Sequence, residues 1–172
     1  MDGTKTICRL SIPTTGMKTL VIGLGNPILG DDGVGWHVAD EIVKYTEDRP
    51  NVEVDCVSLG GLSLMERLTG SNRVILIDAI FTGRKPNGTV RQISLGDLSD
   101  LTSGHSASVH DTSLRNALSI GRSMDIPLPE DKDIIVVAIE TENVYDFSQE
   151  LSPAVAAAVP QTVKVVMDLL DG

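Results

Sequence analysis

The chain has 172 residues, 41% of them hydrophobic, and carries 24 acidic against 14 basic side chains for a formal net charge of −10. This length and composition predict one globular domain with an ordinary hydrophobic core. Nonspecific binding to nucleic acid or to an anionic membrane needs basic patches, so we expect neither partner for so acidic a chain.

The cysteines and the distribution of apolar residues indicate a cytoplasmic protein. Cys8 and Cys56 are too far apart for a zinc knuckle and too few for a disulfide scaffold, so we expect free thiols in a reducing compartment. The first residues lack the continuous apolar segment of a signal peptide, and no uncharged apolar run is long enough to span a membrane. Residues 1–17 are interpreted as an N-terminal extension or an edge strand, and residues 18–172 as a single domain.

The first elements surround a glycine-rich turn. The apolar run Leu20 to Leu24 predicts a buried strand, and glycines at 23, 25 and 30 predict a turn in which the backbone approaches a neighbour closely. A helix is expected from Gly33 to Tyr45, with Val34, Val38, Ile42 and Tyr45 on its buried face.

Two adjacent carboxylates, Asp31 and Asp32, follow this turn. A phosphate-binding loop with glycines at this spacing would carry Lys and Ser or Thr at these two positions. The two acids would instead repel a phosphate and attract a cation. We interpret Asp31 as a helix N-cap and Asp32 as an acid that faces a metal ion.

The rest of the chain alternates between strand and helix patterns. Strands are expected at 52–57, 74–77, 89–95 and 134–139, and helices at 62–68, from residue 110 onward, and from 153 to 170 with a kink or restart at Pro160. Residues 98–109 predict a polar loop long enough to suggest a function. The alternation predicts a three-layer α/β/α sandwich with a twisted, mostly parallel five-stranded sheet.

Asp78 follows the most apolar strand, Val74 to Ile77. A carboxylate at the end of a buried strand is costly unless it is paired or liganded, and doubly wound sheets bind ligands at the carboxyl ends of their strands. If the first and third strands are parallel neighbours, Asp78 and the turn 25–32 share one crevice.

His110 stands at the predicted start of a helix, where the helix dipole disfavours the imidazolium ion and keeps the ring available as a ligand. Together, Asp32, Asp78 and His110 offer two carboxylates and one imidazole, a set that suits a first-row divalent ion such as zinc, nickel or manganese. A catalytic triad of Ser108, His110 and Asp78 is disfavoured, because the sequence contains no Gly-x-Ser-x-Gly elbow.

Five sequence motifs, spread over nearly all of the chain from Lys18 onward, resemble those of the hydrogenase maturation proteases and occur in the same order. The motifs are Gly23-Leu24-Gly25-Asn26-Pro27 with Gly30-Asp31-Asp32-Gly33-Val34-Gly35, then Ile77-Asp78-Ala79, Pro86 with Gly88-Thr89-Val90, Ser108-x-His110-x-x-x-Leu114, and Leu151-Ser152-Pro153-x-Val155.

The resemblance implies an endopeptidase that removes a short C-terminal extension from the precursor large subunit of a nickel-iron hydrogenase after nickel insertion. By motif, Asp32, Asp78 and His110 take the places of the family's metal-site and catalytic residues, which bind the nickel carried by the substrate or another divalent ion, such as zinc, in its place. We expect a monomer. The chain departs from the family at Ser58-Leu59-Gly60-Gly61-Leu62, where members tend to carry a Gly-Thr turn, and this difference bears on substrate choice and on cleavage.

Two other functions fit part of the sequence. One is a metal-sensing assembly partner that binds a nickel-loaded subunit without cutting it. The other is a hydrolase like the peptidyl-tRNA hydrolases, whose opening the segment 21–27 also resembles. Those enzymes continue with a Thr-Arg-His-Asn segment that this chain lacks, and a tRNA ligand suits a charge of −10 poorly.

Overall fold

The structure is a computed structural model that describes residues 16–95, 109–142 and 147–172, without the side chains of residues 109–113. The predicted extension or edge strand over 1–17 lies almost wholly outside the described residues, as does most of the predicted loop over 98–109. The strands are β1 (Thr19–Leu24), β2 (Val52–Val57), β3 (Arg73–Ile80), β4 (Val90–Ser94) and β5 (Ile134–Glu140), and the helices are α1 (Val34–Thr46), α2 (Gly61–Leu68), α3 (Val109–Ser123) and α4 (Pro153–Asp171).

The described strands form one sheet in the order β2-β1-β3-β5-β4, in which only β4 runs antiparallel to its neighbour. Successive residues of each strand point to opposite faces of the sheet, and helices cover both faces. Leu20 and Ile22 of β1 pack with residues of α2 and α3, whereas Val21 packs with residues of α1 and α4. The predicted three-layer sandwich with a mostly parallel five-stranded sheet is therefore confirmed.

The structure corrects two details of the predicted elements. β3 does not end at Asp78 but continues to Ile80, because β5 pairs with it as far as Glu140. Tyr45 is 59% exposed, and Thr46 takes the inward position of the last turn of α1. These differences leave the order of the elements unchanged.

The predicted restart of the last helix at Pro160 is wrong, since α4 is continuous from Pro153 to Asp171. Proline removes the hydrogen bond to the carbonyl four residues earlier. Both Pro160 and Ala156, the residue that loses this bond, are exposed. Water can therefore satisfy the carbonyl without ending the helix.

Among the described residues, α4 is the one helix long and apolar enough to cross a membrane by length and composition. Such a test is weak evidence for a single helix. Val155 and Val166 of α4 are fully buried in the cluster that also contains Val38 and Ile42 of α1. The buried stripe of this helix thus packs against the rest of the domain.

Candidate metal-facing active site

The turn between β1 and α1 folds Asp32 back over the end of β1. The amide of Asn26 donates to Oδ2 of Asp32 at 2.6 Å, and the Asp32 side chain is half-buried. Gly25 makes this geometry possible, because it has φ +118° and an added Cβ would lie 1.8 Å from the carbonyl oxygen of Asp32. A residue with a side chain at position 25 would displace the backbone that carries this carboxylate.

Asp31 does not cap the helix beside it, so that prediction is wrong. Residues 30–33 form a 3-10 turn, α1 begins only at Val34, and neither element has a side-chain cap at its start. The Asp31 carboxylate, 1% exposed, instead accepts hydrogen bonds from the amide and the hydroxyl of Ser152, at 2.7 and 2.8 Å. Asp31 therefore joins the turn to the start of α4.

Two more segments hold the same turn. The Ser58 hydroxyl donates to the carbonyl of Gly25 at 2.7 Å, which ties the loop after β2 to the turn. On the other side, the Gly30 amide donates to the Ser148 carbonyl at 2.7 Å, and the Ser148 amide donates to the Ile28 carbonyl at 3.1 Å. The backbone around Asp32 is thus held by parts of the chain that lie far away in sequence.

Asp78 is brought to the same edge of the sheet by the parallel pairing of β1 with β3. The last paired residues are Gly23 and Ile77, so Asp78 lies one residue beyond that pairing, and its side chain is only 2% exposed. An added Cβ on Gly35 would lie 2.3 Å from the Leu24 carbonyl oxygen and 2.5 Å from that of Ile77. The first turn of α1, which follows Asp32, therefore lies directly on the strand ends that carry Asp78.

The third predicted site residue, His110, is the second residue of α3. Its side chain lies outside the described residues, so its contacts with the two carboxylates stay a prediction. α3 ends at Ser123, shortly before β5 begins at Ile134. The helix must therefore return toward the amino ends of the strands, and its first turn lies toward their carboxyl ends, the edge that holds Asp32 and Asp78.

Metal ligation by Asp32, Asp78 and His110 likewise stays a prediction. Within the described residues, which exclude the imidazole of His110, no three His, Cys, Asp or Glu side chains are grouped so that they could hold a metal ion.

A buried acid that the sequence analysis missed lies on the same edge. Glu140, 1% exposed, accepts hydrogen bonds from the amides of Thr82 and Gly83 at 2.6 and 3.0 Å, and Arg91 pairs with it at 3.1 Å. These contacts fix the segment that follows β3. The signal was present, because Glu140 ends an apolar strand in the same way that Asp78 follows one.

Cys56 is not a suitable nucleophile near neutral pH. Burial, reinforced by the nearby charges of Asp40 and Asp55, raises the pKa of its thiol to about 12. The thiol is then protonated, and the protonated form does not attack a carbonyl.

Together, the fold and the site define an α/β protein of the doubly wound kind with an acidic site at the carboxyl ends of its parallel strands. A family model described as hydrogenase maturation protease matches residues 36–169. The chain therefore belongs to the hydrogenase maturation protease family, which consists of endopeptidases that act on precursors of hydrogenase large subunits. Asp78 and His110 lie inside the matched segment, and Asp32 lies four residues before it.

Similar proteins span most of the chain. The hydrogenase expression/formation protein HupD of Rhizobium leguminosarum bv. viciae is 25% identical over 158 residues, which are 92% of this chain and 76% of that protein. A putative hydrogenase maturation protease of Methanocaldococcus jannaschii is 26% identical over 152 residues, 86% of this chain and 93% of that protein.

Solved structures show the same fold. The hydrogenase maturating endopeptidase HybD of E. coli superposes with a TM-score of 0.72 at 23% identity, over 90% of this chain and 93% of that one. HybD of Thermococcus kodakarensis superposes with a TM-score of 0.70 at 23% identity, over 89% and 99% of the two chains.

Proposed function

We propose that this protein removes a short C-terminal extension from the large-subunit precursor of a nickel-iron hydrogenase after nickel insertion, and that Asp32, Asp78 and His110 bind the nickel that the substrate carries. The observation that supports this proposal most directly is the placement of Asp32 and Asp78 at one sheet edge, where the first turn of α1 lies on the strand ends.

The chemistry of the donor set suits such an ion. Burying a carboxylate such as Asp78 costs free energy that a bound cation can offset. Carboxylate and imidazole ligands together suit borderline ions, so Ni²⁺ fits the three residues, and we expect Zn²⁺ to bind in its place. The ion belongs to the substrate in this proposal, so recognition and cleavage depend on prior nickel insertion.

Cleavage then requires positioning and one activated water. Docking of the substrate's metal site against Asp32 and Asp78 would hold the scissile peptide beside these carboxylates. The metal ion polarises groups bound to it, while a carboxylate accepts the proton of the attacking water. The water oxygen bonds to the carbonyl carbon, the C–N bond breaks, and the leaving amine takes up the proton. We place this reaction in the cytoplasm and expect the protease to act as a monomer.

Intact-mass spectrometry tests the proposal. A purified nickel-loaded large-subunit precursor is incubated with the parent protein and with Asp78→Asn, Asp32→Asn, His110→Ala and the control Asp48→Asn. Asp48 is an exposed acid just beyond α1, so its variant should cleave at the parental rate. Each site variant should lose about 100-fold or more in rate, the usual range for removal of an acid–base group, while its melting temperature stays near that of the parent.

Two results would contradict the proposal. Cleavage by Asp78→Asn at the parental rate would exclude Asp78 from the site. An unchanged precursor mass with the parent, together with a stable complex, would favour the non-cleaving assembly partner. This second function is considered because the turn at 58–62 departs from the family pattern.

A further inference from the structure

Exposed apolar side chains occur in the turn that carries Asp32 and in two segments that have hydrogen bonds to this turn. Ile28 is 47% exposed, Leu59 39%, Leu62 56% and Phe147 86%. We refer to these four residues as the apolar rim. They belong to three segments that are separate in sequence, so their common location is a property of the fold.

Hydrogen bonds link all three segments to the turn. Leu59 follows Ser58, whose hydroxyl donates to Gly25, and Leu62 is the second residue of α2, which begins at Gly61. Phe147 precedes Ser148, whose amide donates to the carbonyl of Ile28. The rim residues therefore lie in the turn that carries Asp32 or in the segments bonded to it.

The loop 58–62 presents its leucines in a fixed conformation. Gly60 is extended and Gly61 has φ +55°, and the Leu64 amide then donates to the Gly60 carbonyl as α2 begins. Leu64, Met65 and Leu68 form the buried face of α2, and Leu62 lies at the edge of this face, where it is 56% exposed. Leu59 and Leu62 therefore keep much of their apolar surface outside the core.

We propose that the apolar rim docks an apolar segment of the hydrogenase large-subunit precursor and thereby contributes to substrate choice. This inference rests on the proposed function. A precursor that reaches Asp32 and the buried Asp78 must cover the turn 25–32, and the rim borders that turn. Contiguous exposed apolar side chains mark protein contact sites, and burying them supplies affinity without taking part in bond cleavage.

Binding and cleavage are measured separately to test the rim. For binding, the double variant Leu59→Ser/Leu62→Ser is made in the Asp78→Asn background, and its Kd for a purified nickel-loaded precursor is measured by calorimetry. For cleavage, the same double variant is made in the parent protein. We expect Kd and KM to rise about tenfold or more, with kcat within twofold of the parent, because only uniform binding is lost.

The matched control is Ile120→Ser/Met124→Ser. These two residues are also exposed, at 50% and 67%, but Ile120 lies in the last turn of α3 and Met124 directly follows the helix, near the amino ends of the strands. This control should leave Kd and KM at the parental values. If both double variants raise Kd and KM equally, the cause is a general loss of surface hydrophobicity, and the inference is overturned.

Other outcomes are also decisive. If Asp78→Asn binds the precursor and the rim variant binds equally well, the rim is not a docking site, although the proposed function stands. If no precursor is bound or cleaved by any form of the protein, the proposed function fails as well. If light scattering shows a dimer of the parent that the rim variant loses, the surface belongs to a second copy of this chain.

Discussion

Asp31→Ala should separate the turn from α4 and lower the stability of the domain. The Asp31 carboxylate is 1% exposed and accepts two hydrogen bonds, from the amide and the hydroxyl of Ser152. Hydrogen bonds to a charged group contribute about 1.5–3 kcal/mol each. Ser152 is only half-buried, so water recovers part of the loss. We expect Asp31→Ala to lower the free energy of unfolding by roughly 2–4 kcal/mol.

A double-mutant cycle tests the cause. Ser152→Ala removes one of the two bonds, so it should cost about half as much, about 1–2 kcal/mol. The variant that combines both substitutions should cost less than their sum by about 1 kcal/mol, because the two residues contact each other. Asp48→Ala, at an exposed position, should stay within about 0.5 kcal/mol of the parent.

Urea unfolding, followed by far-UV circular dichroism, gives each free energy from the midpoint and the slope. An Asp31→Ala loss below about 1 kcal/mol, a typical value for a neutral hydrogen bond, would refute the reasoning. Simple additivity of Asp31→Ala and Ser152→Ala would refute it too, since the two effects would then be independent.

Three further predictions follow from other contacts. Gly25→Ala should lower the cleavage rate more than about tenfold, measured by precursor mass, because its Cβ would collide with the Asp32 carbonyl. Glu140→Ala should lower the free energy of unfolding by about 3–5 kcal/mol in urea, since it leaves the largely buried guanidinium of Arg91 and two amides without their acceptor; a loss under about 1 kcal/mol would contradict this. In a Cys8→Ser background, Cys56 should react with iodoacetamide at pH 8 at least about tenfold more slowly than free cysteine, because its raised pKa lowers the thiolate fraction.

The strands and the shared sheet edge of Asp32 and Asp78 could be predicted from sequence because their signals are local. The apolar runs before Gly25 and Asp78 are short, bounded and rich in β-branched residues, which identifies buried strands. Parallel strands place their carboxyl ends at one edge, so two acids that follow such strands are brought together by the fold class alone. The shared edge of the two acids thus follows from strand order and direction, without side-chain contacts.

The role of Asp31 could not be predicted, because its partner is 121 residues away. A local rule assigns an acid before a helix to that helix's N-terminus. Here the 3-10 turn delays α1, and the carboxylate meets Ser152 instead. The predicted burial of Tyr45 is wrong for a related reason. Helical periodicity places Tyr45 inward, but Thr46 occupies the inward position, and its hydroxyl donates to the Ile42 carbonyl.

The contacts of the turn also set the order in which the site can form. The backbone around Asp32 depends on Ser58, on residue 148 and, through Asp31, on Ser152. Ser152 precedes α4, which is the last element of the chain. The turn therefore gains its complete set of hydrogen bonds only when α4 has docked beside α1. A chain shortened before residue 148 would keep Asp32 and Asp78 but lose the contacts of Ser148 and Ser152 with the turn, so we expect it to lack cleavage activity.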